Sequence, residues 1–70
     1  MCEFNHEVLK NLRKKRNATL SEISLATGIS EKDISLIERG KTKKPRFETV
    51  EILSIYFDVN METFKKGTKF

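Results

Sequence analysis

Apolar residues recur along this chain at intervals of three and four, the period of helices that bury one face. Phe4, Val8, Leu9 and Leu12 mark the first stripe, with Asn5 placed to cap its start, and predict a helix over residues 6–15. The opposite face and the C-terminal end carry Lys10, Arg13, Lys14, Lys15 and Arg16, where cations suit the negative end of the helix dipole and read largely as solvated surface. Thr19-Leu20-Ser21-Glu22 has the form of a capping box, in which the Thr hydroxyl and the Glu carboxylate satisfy backbone N–H groups left unpaired at a helix start. A second helix follows, with Leu20, Ile23 and Ala26 on one face, and stops at Gly28. Ser30 caps a third helix with Asp33 in its first turn; Ile34 and Ile37 point inward, and Gly40 ends it.

Pro45 bars the segment Lys41-Thr42-Lys43-Lys44-Pro45-Arg46 from a helix interior, so it reads as a basic loop. A fourth helix is predicted over residues 47–57, with Phe47, Val50, Leu53 and Phe57 on the inward side. Asn60 caps a last short turn through Phe64, closed by Gly67. No stretch alternates apolar and polar residues long enough to demand a strand. The expected fold is all-α: one compact domain over residues 1–70, of about five short helices, with residues 1–4 and 66–70 as flexible ends.

Composition narrows the function. Seventy residues, 37% of them hydrophobic, give a core worth only about 3–5 kcal/mol net, too little to enclose a substrate chamber. Fourteen Lys and Arg against ten Asp and Glu leave +4 at pH 7, a balance suited to a polyanionic partner. The one cysteine, Cys2, has no partner for an intramolecular disulfide, which fits a reducing, cytoplasmic compartment. No apolar run approaches the roughly 20 residues of a membrane span, and residues 1–8 carry neither a basic nor an apolar leader segment, so neither membrane nor export is expected. Cys2 and His6 are two potential metal ligands where a closed zinc site needs four. With no nucleophile paired to a base, no enzyme, metal or cofactor is expected.

Between Thr19 and Gly40, Ile23, Ala26, Ile29, Ile34 and Ile37 are spaced for two short helices to cross over a shared apolar seam. That crossing leaves the second helix protruding, with the width to enter the ~12 Å major groove of B-DNA. Arg13, then Ile23-Ser24-Leu25-Ala26-Thr27-Gly28-Ile29-Ser30, then Ile34-Ser35-Leu36-Ile37-Glu38-Arg39-Gly40, together resemble the Cro and repressor (XRE-like) helix-turn-helix family. The loop from Gly40 to Phe47 and the tail Gly67-Thr68-Lys69 are similar to the small Cro proteins of lambdoid phages, which extends the resemblance over about residues 8 to 69. It implies a bacterial or phage-encoded repressor that binds double-stranded operator DNA as a homodimer. The chain departs from the family at Ser24, where Ala is usual, and at Leu20, which stands at a phosphate-holding position usually filled by a polar residue.

Individual roles follow from both sources. Leu36 falls where the resemblance places base contacts and offers an apolar surface to thymine methyl groups; Lys32 suits guanine O6 and N7, and Glu31 suits cytosine N4. Ser30 is first a cap, with a base or phosphate contact in addition. Glu31 and Asp33 at the start of a reading helix oppose phosphates unless a base donor meets them. Arg39, Lys43 and Arg46 are candidate phosphate contacts, joined by Thr19 and the free N–H groups at the start of the second helix. By resemblance Arg13 and Glu38 form a partly buried ion pair that also holds Arg13 near the DNA backbone. Ile52, Ile55 and Tyr56 lie nearly opposite the inward face of the fourth helix and, with Asp58 and Val59, are the candidate dimer interface. The alternative is a protein-interaction adaptor or antitoxin-like module, and a protein antirepressor is a further candidate partner of a repressor.

Overall fold

The computed structural model describes residues 4–65. Among them four α-helices and one 3-10 turn follow in order: α1 (His6–Arg16), α2 (Leu20–Thr27), α3 (Glu31–Glu38), α4 (Phe47–Phe57) and the 3-10 turn Met61–Phe64. Each boundary has a local cause. The Thr19 hydroxyl accepts from the Glu22 N–H at 3.0 Å while the Glu22 carboxylate accepts from the Thr19 N–H at 3.0 Å, so the capping box is closed at both ends. Ser30 accepts from the Asp33 N–H at the start of α3, and Asn60 accepts from the Glu62 N–H at the start of the 3-10 turn. Asn5 occupies the expected cap position but its side chain makes no cap. Its backbone N–H is instead given to the Phe64 carbonyl, which ties the start of α1 to the 3-10 turn.

Phe4, Leu9, Ala18, Ile23, Ile34, Ile37, Leu53, Phe57 and Phe64 form one core to which every helix contributes. Burying each large side chain is worth about 1.5–3 kcal/mol before conformational entropy is charged against it. Ser54 is the buried polar side chain of this core, and its hydroxyl is satisfied by the Glu51 carbonyl at 2.7 Å. Phe4, expected in a flexible end, is buried: its ring stacks on Phe64 at 5.0 Å, and it forms an isolated antiparallel bridge with Lys65. Cys2, Gly67, Thr68 and Lys69, with the rest of the expected flexible ends, lie outside the described residues.

Two expected core positions are corrected. Ala26 is exposed, and the inward place on α2 goes to half-buried Thr27, which stands only about 40° round the helix from Ile23. The Thr27 hydroxyl donates to the Ile23 carbonyl and accepts from the Ile29 N–H, so this polar side chain sits at the turn without an unmet group. Phe47 shares the angular arc of Val50, Leu53 and Phe57 but is 66% exposed. It is the first residue of α4, directly after the loop, where the helix has not yet reached the core.

Two left-handed glycines make the sharp corners either side of α3, with φ of 80° at Gly28 and 78° at Gly40. A Cβ on Gly28 would meet nothing, whereas one on Gly40 would lie 3.1 Å from the His6 ring. Gly28→Ala should therefore lower stability by about 1–2 kcal/mol through backbone strain alone, and Gly40→Ala by more. In urea unfolding, adding His6→Ala should recover part of the Gly40→Ala loss and none of the Gly28→Ala loss; equal recovery in both would contradict the packing argument.

Candidate nucleic-acid interface

α2, the turn at Gly28–Ser30 and α3 form a helix-turn-helix in which α3 gives Ile34 and Ile37 to the core and its first turn to solvent. Ser30, Glu31, Lys32 and Asp33 are all exposed there. Leu36, expected to be exposed, is half-buried; it stands one turn beyond Lys32 on the same face of the helix. Its carbonyl accepts from both the Lys41 and the Thr42 N–H, so the basic loop is hung from the end of α3 by the backbone of this residue.

Around α3 the cations are spread on separate supports. Arg39 is the C-cap residue of α3, with its Nε 3.4 Å from the Ser35 carbonyl. Lys43 is exposed in the loop, and its carbonyl accepts from the Phe4 N–H. Arg46 is the N-cap residue of α4, exposed, and lines a shallow depression together with Asp33, Ile37 and Thr42. At the start of α2 Thr19 is exposed but engaged in its capping box, which also brings the Glu22 carboxylate to the N-terminal end of the dipole. Leu20 is half-buried against the core, so what this corner can offer an anion is the Leu20 and Ser21 N–H pair, unpaired within a helix by geometry.

The Arg13 guanidinium meets Glu38 in a two-pronged contact, Nε to Oε2 at 2.6 Å and Nη2 to Oε1 at 2.7 Å, while Nη1 donates to the Ala18 carbonyl at 3.2 Å. With 23% and 11% of the two side chains exposed, this is a shielded pair. The hydrogen bonds that Arg13 donates to Glu38 raise its pKa above the ordinary value, partial burial works against them, and the charge of Glu38 adds to the rise. A cation held this way stays protonated throughout the neutral range. His6 was not singled out by the sequence for any role here, yet its Nδ1 lies 3.2 Å from the Glu38 carbonyl, so α1 grips Glu38 at both backbone and side chain.

On α4, Ile55 is 73% exposed and Ile52 half-buried, with Asp58 exposed beyond them as the left-handed C-cap residue. The expected patch is narrower than its sequence pattern. Tyr56 and Val59 are half-buried against the core, and Tyr56 meets Phe57 edge-on at 4.8 Å. The Arg16 guanidinium covers both rings, 5.2 Å from the Tyr56 centroid and 5.5 Å from that of Phe57, a cation–π contact that spacing alone does not reveal. Leu25, whose exposure the apolar spacing does not reveal, is 86% exposed. Among the described residues no three His, Cys, Asp or Glu side chains converge as a metal site, and no helix is long and apolar enough to cross a membrane.

A sequence family described as a helix-turn-helix domain matches residues 7–69. Among solved structures, SinR, a master regulator for biofilm formation, in complex with DNA is 29% identical, with a TM-score of 0.77 over 83% of this chain and 95% of that one. SinR in complex with SinI gives 29% identity and a TM-score of 0.79; this chain spans 57% of that structure's chain and is matched over 84% of its own length. A transcriptional regulator from Listeria innocua superposes at a TM-score of 0.81 over 100% of this chain and 64% of its own, and at 18% identity that likeness concerns the fold alone. No curated protein gives a significant match.

The Arg13–Glu38 contact generates a stability test. Arg13→Met and Glu38→Leu should each cost about 1.5–3 kcal/mol, because each strands a shielded charge. The double variant should cost clearly less than the sum. Additive losses in denaturant unfolding would mean that the two side chains act independently.

Proposed function

Because this chain belongs to the helix-turn-helix domain family of the Cro and repressor type, we propose that it is a sequence-specific double-stranded DNA-binding regulator of transcription, acting as a Cro-like repressor in the cytoplasm. In this reading α3 lies in the major groove, and residues 1–70 work as a single DNA-binding domain. The observation that carries it is the surface of α3: an exposed first turn with Lys32 and, one helical turn on, half-buried Leu36, bracketed by exposed Arg39, Lys43 and Arg46. SinR, which shares this fold at 29% identity, is a DNA-bound regulator in its solved complex.

The division of labour is as follows. Glu31, Lys32 and Leu36, with Ser30 at the cap, read base edges; Arg39, Lys43 and Arg46, with the start of α2 at Thr19 and Leu20, hold phosphates and set the register. Arg13 serves mainly to fix α3 through Glu38. A two-fold dimer forms through Ile52 and Ile55, extended by the outer edges of Tyr56, Asp58 and Val59, and sets two α3 helices about one DNA turn, ~34 Å, apart. SinR is also found with a protein partner, SinI, and a protein antirepressor is the corresponding proposal for this chain.

Selection of bound sites from a random duplex pool, followed by titration at several salt concentrations, tests the reading directly. Lys32→Ala or Leu36→Ala should shift preference among site variants by about 1–3 kcal/mol at individual bases. Lys43→Ala or Arg46→Ala should weaken all sequences alike and flatten the salt dependence by about one unit. Loop variants that relax sequence preference while the helix variants do nothing would overturn the assignment of α3 as reader. No binding to any duplex at low salt would turn the reading to a protein-interaction adaptor.

Dimerisation has its own test. Ile55→Lys replaces an exposed side chain and should leave the far-UV spectrum and unfolding midpoint unchanged. It should abolish cooperative occupancy of a two-half-site operator; retained cooperativity would move the interface elsewhere.

A further inference from the structure

His6, Lys10 and Lys14 stand four residues apart and form one stripe along α1, facing the C-terminal end of α3 across a cleft whose other wall is Glu38 and Arg39. The charges of that cleft do not cancel. The Glu38 carboxylate is taken up by Arg13, and its carbonyl by His6. Glu7 is left as the one uncompensated carboxylate among the lining side chains, against the three cations Lys10, Lys14 and Arg39. Neither Lys10 nor Lys14 makes an ion pair among the described residues, and both are exposed.

We propose that this α1–α3 cleft is a second seat for DNA backbone phosphates, in which Lys10 and Lys14 act with Arg39 to extend the protein's hold beyond the helix-turn-helix and the basic loop. The inference rests on the DNA-binding reading above and adds a contact surface to it. Arg39 is the link: it caps the helix proposed to enter the groove and also lines the cleft, so a strand held at Arg39 is led towards the α1 stripe. Lys10 and Lys14 lie one turn apart, about 6 Å along the helix axis, so their ammonium groups meet successive positions on one strand. The two lysines carry no base-reading geometry. Their contribution is non-specific affinity, released counterions and register.

The experiment compares the full chain with Lys10→Ala/Lys14→Ala, Lys10→Arg/Lys14→Arg and Lys15→Ala, a change of the same charge on the same helix outside the cleft. Each is titrated against a selected and a random labelled duplex over a range of salt. The double alanine variant should lose about 1.8 from the slope of log affinity against log salt, about 0.9 for each released phosphate contact. Its preference for the selected duplex should be unchanged. The double arginine variant should keep the original slope, and Lys15→Ala should leave it nearly intact. An unaltered slope in the double alanine variant, or an equal loss per charge in Lys15→Ala, would overturn the cleft as a specific seat while leaving DNA binding in place. Failure of the unsubstituted chain to bind either duplex would overturn the DNA-binding reading itself, and the cleft with it.

Discussion

An eight-residue helix that gives its first turn to solvent has little surface left with which to hold its own position. α3 is in that situation, and the Arg13–Glu38 contact is what resolves it. Ile34 and Ile37 fix how deeply α3 sits on the core, but apolar packing is non-directional and leaves rotation and sliding weakly specified. The paired hydrogen bonds from Arg13 to the Glu38 carboxylate are directional, shielded from water and joined to the Ala18 carbonyl, so they lock α3 to α1 and to the corner that begins α2. His6 on the Glu38 carbonyl and the two loop N–H groups on the Leu36 carbonyl complete the clamp. Any surface that α3 presents to a partner is aimed by these contacts.

A second set of constraints closes the far side of the molecule. Phe4 stacked on Phe64, with the Asn5 N–H on the Phe64 carbonyl, brings the start of α1 onto the 3-10 turn. At the other end of α1, Arg16 lies over Tyr56 and Phe57 at the end of α4. Both ends of α1 are therefore tied to the C-terminal elements by aromatic rings. A helix held at both ends is a stiff support for Arg13 in its last turn. The same arrangement ties Tyr56, at the edge of the proposed dimer face, to the helix that positions α3, through one guanidinium.

Where the sequence was legible, the signal was local. Capping at Thr19, Ser30 and Asn60 depends on side chains reaching two or three residues along the chain, and the helix starts fall where those residues predict. Leu9, Ile23, Ile34 and Leu53 are buried because their period matches a helix face that meets other helices. What periodicity lacks is axial position and the identity of the neighbour. Phe47 lies on the correct arc and still overhangs the core, and Ala26 loses the inward place to Thr27 because the helical repeat is not a whole number of residues. His6 on Glu38, Arg16 over Tyr56 and the cleft along α1 join residues 32, 40 and 24 or more positions apart in sequence, and no local pattern encodes them. The Arg13 and Glu38 roles were readable only through a family resemblance, since nothing in either residue's surroundings in the sequence points to the other.

The distribution of charge bears on how such a domain would balance affinity and selectivity. Glu31 and Asp33 sit in the exposed first turn of α3, where the helix dipole stabilises them and Ser30 secures the backbone that carries them. In a phosphate-walled groove the same carboxylates are repelled, so the favourable electrostatics has to come from elsewhere on the surface. In the proposed DNA-binding role, Lys32 beside them would supply it together with Arg39, Lys43, Arg46 and the α1 lysines, which lie outside the first turn of the helix. Attraction placed on the periphery holds any duplex, while repulsion placed at the reading surface is relieved only by bases that donate to a carboxylate, such as cytosine through its N4 amino group. In the proposed role a net charge of only +4 would keep non-specific attraction modest, so that the cost of an unmet carboxylate would weigh more in separating one site from another.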